Sequence, residues 1–142
     1  MNLMEMISVL LAVIFFTSVA LIYNNSSFRQ KQNLYDANSF VQATILAHEV
    51  LDEVDAKLFS KTIRFDQVVT NYNITRQRNL QHVGETFNLT ITAVQADSAG
   101  VPLTTPITGN IFTRVSVVVQ PGAGMRHPLS MSRVYTKTHL NL

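Results

Sequence analysis

Few side chains in this sequence are of a type and spacing that could do chemistry, and the most conspicuous is a single carboxylate. Glu5 is the only charged residue in the first 28 positions, MNLMEMISVLLAVIFFTSVALIYNNSSF. Elsewhere the candidates are sparse. His48 and Asp52 stand at i, i+4 of a helical pattern and could share a cation, but two ligands fall short of the three or four that a metal site requires. His82 and Glu85 flank Val83-Gly84 with no third ligand nearby. The loop Asp97-Ser98-Ala99-Gly100 carries one carboxylate where a calcium site needs several. No G-x-S-x-G, H-E-x-x-H, P-loop or dinucleotide fingerprint is present. No catalytic, cofactor-binding or metal-binding residue is therefore assigned, and the chain is read as a non-enzyme.

Two small basic clusters, Arg76-Arg78-His82 and Arg126-His127, could meet phosphates. They lack an interleaved aromatic platform, and with 11 basic against 9 acidic residues the net charge is only +2. The sequence reading is a solvated surface, with no nucleic-acid partner expected. Four Asn residues open N-x-[ST] triplets; of these, Asn73 and Asn88 are retained as candidate glycosylation acceptors. Aromatic residues recur along the first 40 positions, and bulk in a helix bundle accounts for them without an electron-transfer role.

The element that must position Glu5 is an apolar helix. From Met6 to Ile22 the only polar residues are Ser8, Thr17 and Ser18, and neither Gly nor Pro interrupts the run. About 20 such residues at 1.5 Å rise cross a bilayer core. A carboxylate costs roughly 2.5–3.5 kcal/mol at the centre of such a helix and less towards an end. Two readings of Glu5 follow. It is either a first-turn acid favoured by the helix dipole at the water interface, or a buried charge that meets a cation, the nearest being the α-amino group of residue 1 in a neighbouring copy. Arg29 and Lys31 follow the apolar run while no cation precedes it, which by the positive-inside rule would leave the remainder in the cytoplasm. The Ser/Thr/Asn-rich remainder reads instead as an exported domain. The conflict disappears if a short basic leader has been removed ahead of Met1.

An uninterrupted apolar N-terminal helix, a hydrophobic first residue and Glu at position five resemble mature type IV pilins and the pseudopilins of type II secretion. The resemblance is close over about 25 residues and loose thereafter. It implies that Met1 is the processed, N-methylated terminus and that Glu5 pairs with a neighbour's terminal amine in a filament core. It also implies that Leu3, Ile7, Leu10, Leu11, Ile14, Phe15, Val19 and Ile22 pack against neighbouring helices. Prepilin peptidase and the pilus assembly machinery are the implied partners, besides other copies of the chain and, before assembly, the membrane. The chain departs from many family members in having no helix breaker inside this segment and no cysteine. Any weak point would fall at Asn24-Asn25-Ser26-Ser27.

Every Gly and Pro lies beyond residue 83, which separates a breaker-free first part from a turn-rich second part, the pattern of an α+β fold. One helix is expected from about 2 to 60, its anchor half ending near 28. The head domain then covers 29–142. Phe40, Thr44, Ala47, Leu51, Val54 and Leu58 form an apolar stripe, with Glu49, Asp52, Glu53, Lys57 and Lys61 facing water. Ile63, Phe65 and Val69 fall in a possible first strand or a connection. Period-two alternation marks strands at 87–93, 111–119 and 129–138, with a loop over 95–110 and a turn at Pro121-Gly122-Ala123-Gly124. A long helix packed on an antiparallel sheet of three or four strands is also the fold that the resemblance implies.

The expected function is mechanical. The chain is read as the structural subunit of a type IV pilus-like filament, held in the inner membrane until it joins the fibre at the cell surface. Two alternatives stand beside it: a pseudopilin of a secretion system, and a signal-anchored periplasmic binding domain.

Overall fold

A computed structural model describes residues 2–80, 84–120 and 125–137. The expected α+β architecture is present. One helix, α1 (Leu3–Phe59, 57 residues), is followed by a 3₁₀ turn (Phe65–Gln67) and a one-turn helix, α2 (Val68–Asn71). Four strands complete it: β1 (Ile74–Leu80), β2 (Glu85–Gln95), β3 (Phe112–Gln120) and β4 (Leu129–Thr136). The chain divides into two compact units, Met1–Ala37 and Asn38–Leu142, and α1 contributes to both.

The helix starts at Asn2, whose carbonyl accepts the Glu5 and Met6 N–H groups. Helix geometry then runs without a break through Asn24–Ser27, so the polar tetrad does not interrupt it. The end of α1 is a Schellman motif: Thr62 N–H donates to the Lys57 carbonyl at 3.0 Å and Lys61 N–H to Leu58 at 3.1 Å. The left-handed residue of that motif is Lys61, with φ of 55°, where glycine is usual.

In the second unit the strands form a meander in the order β1-β2-β3-β4, antiparallel throughout. The α1 segment after residue 38 covers one face. Leu46, Val50, Leu51, Val54 and Leu58 bury against Phe87, Leu89 and Ile91 of β2 and Val115, Val117 and Val119 of β3. The buried stripe differs at its start from the sequence expectation. Ser39 and Ala43 are buried, whereas Phe40 is 47% exposed and Thr44 only half-buried. A 3.6-residue turn drifts from a strict 4-3 repeat, and small side chains at 39, 43 and 47 fit where bulkier ones would hold the helix off the sheet. Ser39 is satisfied there, donating to Glu85 at 3.1 Å. The Tyr135 hydroxyl, also buried, donates to the Leu51 carbonyl at 3.0 Å.

Of the two readings open for the segment around Phe65 and Val69, the connection is the one present; Phe65, Val68 and Tyr72, spaced 3 and 4 apart, are buried as a helical pattern dictates. The first strand is β1, ITRQRNL, which carries no apolar alternation and is mostly exposed. Nor do the helix acids simply face water. Glu53 meets Arg76 of β1 at 2.6 Å and Glu49 meets Arg78 at 3.6 Å, while Asp52 and Asp55 both reach Arg133 of β4. The apolar centre of the helix–sheet contact is thus flanked by ion pairs to both edge strands. The expected turn at Pro121–Gly124, and His82 and His139, lie outside the described residues.

The opposite face of the sheet has a different composition. Registers place Thr75, Gln77 and Asn79 of β1, Thr86, Asn88, Thr90 and Thr92 of β2, Ser116, Val118 and Gln120 of β3, and Ser130 and Ser132 of β4 on it. Apart from Val118, these are uncharged polar residues; towards one end the same face also carries Val94, Arg114 and Val134. At one end the loop after β2 folds over this face. Gly100, φ 79°, sits so close that a Cβ would lie 2.8 Å from Val134 Cγ2.

Candidate functional site

The candidate site is the apolar stretch of α1 within the first unit, because it holds the carboxylate and the packing residues that sequence singles out. The residues expected to pack in a filament core, Leu3, Ile7, Leu10, Leu11, Ile14, Phe15, Val19 and Ile22, are between 47% and 73% exposed. Among the described residues nothing covers them. Apolar side chains surround the helix on all sides, which fits a lipid or helical-bundle environment and not one side of a soluble core. By length and composition the segment can cross a membrane, a test that a signal sequence near an N-terminus also passes.

The polar atoms of this stretch are satisfied internally. Ser8 donates to the Met4 carbonyl at 2.9 Å, Thr17 to Val13 at 2.7 Å and Ser18 to Ile14 at 2.8 Å. Hydroxyls returned to the preceding turn present no unpaired donor to a hydrocarbon medium. Glu5 remains. Its Oε2 accepts the backbone N–H of Asn2 at 3.0 Å, which is one half of a capping box with Asn2 as N-cap and Glu5 three residues on. The first-turn role of Glu5 is therefore visible in the chain by itself. Asn2 was not singled out in the sequence, although the N-x-x-E spacing carries that signal. Met1, the other assembly residue, lies outside the described residues.

The remaining candidates separate from this site. His48 is exposed on α1, and Asp52 is engaged with Arg133. Asp97 closes its own loop: Oδ1 accepts the N–H groups of Ala99 at 2.9 Å and Val101 at 2.8 Å. Among the described residues no three His, Asp or Glu side chains converge as a metal would need. No family model matches the chain, and neither the curated proteins nor the solved structures contain a significant match. What the chain does must be argued from its own residues.

Arg76 and Arg78 both face α1, but unequally: Arg76 is drawn into a cluster of ion pairs, while Arg78, 3.6 Å from Glu49, stays about half exposed. Arg76 grips Glu53 with both terminal nitrogens, Lys57 binds the same carboxylate at 2.6 Å, and the Tyr72 hydroxyl donates to it at 3.4 Å. The Arg76 hydrogen bonds, against the opposing effect of burial, hold the Glu53 carboxyl at about 2 where 4.5 is ordinary. Asn73, a candidate glycan acceptor, uses its carboxamide structurally. Its Nδ2 donates to Val69 and Ala93 carbonyls and its Oδ1 accepts the Ala93 N–H. A sugar on Nδ2 would remove one of those donors. Asn88 stands exposed on the outward sheet face.

Proposed function

We propose that this chain is the structural subunit of a type IV pilus-like filament, assembled by lateral packing of its N-terminal helices. The observation that carries the reading is an unbroken helix whose first twenty-odd residues are apolar on every side, carry internally satisfied hydroxyls, and hold one carboxylate in the first turn. The subunit waits in the inner membrane by this helix and then exchanges lipid for the helices of other copies. Cohesion comes from the apolar residues between positions 3 and 22, and Glu5 sets register by meeting a neighbour's terminal amine. The Asn2 N–H supplies one hydrogen bond to Glu5 but no charge. A carboxylate drawn fully into an apolar bundle still requires a cation, and the amine is the cation that every added copy brings.

Electron microscopy of the sheared cell-surface fraction, with mass spectrometry of the first peptide, tests the reading. Filaments containing this chain with an N-methylated Met1 are the expected result; solitary molecules with residues ahead of Met1 contradict it. A pseudopilin reading shares the helix and the Glu5 role and predicts no long surface filaments. A signal-anchored binding domain differs in kind, since it tolerates exchange of residues 2–28 for any apolar helix of equal length. A filament subunit loses assembly on that exchange.

A further inference from the structure

Most of the sheet's charged side chains lie on its covered side, the reverse of the usual sense. Arg76, Arg78, Glu85 and Arg133 all lie on the side that α1 covers. Exposed sheet faces ordinarily carry charged side chains, which keep them soluble and resist association. Here the outward rows Gln77–Asn88–Gln120 and Thr92–Ser116–Ser132 carry none. None of those six side chains bonds to another part of the protein among the described residues. Arg114 lies on this outward face between Val94 and Val134, and it donates to the Gly100 carbonyl at 3.1 Å.

We propose that this face binds a neutral, hydroxyl-rich polysaccharide. The rows present hydroxyls and carboxamides, each able to donate and accept, on a grid of about 4.8 Å between strands and 6.8 Å along them. A polymer that repeats its own hydroxyls can engage such a grid many times. The charge balance selects against other ligands. An acidic polymer needs free cations, and Arg114, which the registers place on this face, is engaged with the Gly100 carbonyl; an apolar partner would find Val118 in the middle and Val94 and Val134 only at the end beside the Gly100 loop. With no aromatic ring in these rows, binding rests on hydrogen bonds of about 1 kcal/mol net each, so it is weak per sugar and grows with the number of contacts. The proposal stands on the sheet alone and is independent of filament assembly.

The test uses the full-length chain in a detergent without a sugar headgroup, co-sedimented with cellulose, chitin and cross-linked dextran at low and at molar salt. Retention on at least one of them is expected, unchanged by salt because no charge pair contributes. The double variant Thr92→Lys/Ser132→Glu and the single variant Asn88→Lys should each lower the bound fraction about tenfold, equivalent to about 1.4 kcal/mol, with an unchanged melting temperature. Should the double variant fail to fold, the single one carries the test. Retention on none of the three, retention that salt abolishes, or retention that survives Asn88→Lys overturns the proposal. So does a wild-type oligomer that Asn88→Lys disperses, which would assign the face to a second copy of the chain.

Discussion

Individual side chains divide into those that hold the head together and the one that points beyond it. Glu53 belongs to the first group. Its carboxyl is held at about 2 against an ordinary 4.5, so the unfolded chain binds more protons than the folded one between those values. Stability from this group is present above pH 4.5 and is lost as pH falls towards 2. Glu53→Gln should lower stability at neutral pH by about 1–2 kcal/mol, once solvent screening of this partly exposed cluster is allowed for. It should also flatten the fall in urea midpoint through the acid window; a slope equal to that of the wild type would refute the role given to Glu53. Lys61 is the converse case, a side chain in a conformation that suits glycine. Lys61→Gly should raise the melting temperature, by about 0.5–1 kcal/mol of relieved strain, and a fall would contradict the account of the helix end.

At the level of elements, α1 and three of the four strands were legible because their signals are periodic. Freedom from Gly and Pro over 83 residues, and the alternations around 87–93 and 129–136, reflect burial on one side, which sequence records directly. β1 was not legible for a physical reason. It is an edge strand whose central inward positions hold Arg76 and Arg78, so the middle of its contact with the helix is ionic, and Ile74 and Leu80 at its ends are too far apart to give a readable apolar alternation. Of the helix acids expected to face water, Glu49 and Asp52 are more than half exposed, whereas Glu53 is drawn in by Arg76, and an ion pair 23 residues apart in sequence has no local signature. The buried stripe starts out of phase with the 4-3 repeat of the sequence, with Ser39 and Ala43 buried in place of Phe40 and Thr44. Close approach there makes Ala43→Leu a sharp test. Overpacking should destabilise the head by about 1–3 kcal/mol, read as a lower melting temperature, and a neutral result would mean that the contact is looser than described.

For the molecule as a whole, the candidate site was legible to an unusual degree. Glu5 and its apolar surroundings are adjacent in sequence, and a helix preserves that adjacency. Only the Asn2 partner needed the structure. Among the described residues the apolar stretch of α1 is exposed, and in the proposed fibre neighbouring copies would cover it. The most direct measurement compares filament yield for wild type and Glu5→Ala at equal membrane levels of the subunit. The account predicts that the variant inserts normally but yields few or no filaments, because the step that brings each new amine to its partner is gone. Filaments at the wild-type level from Glu5→Ala would contradict it.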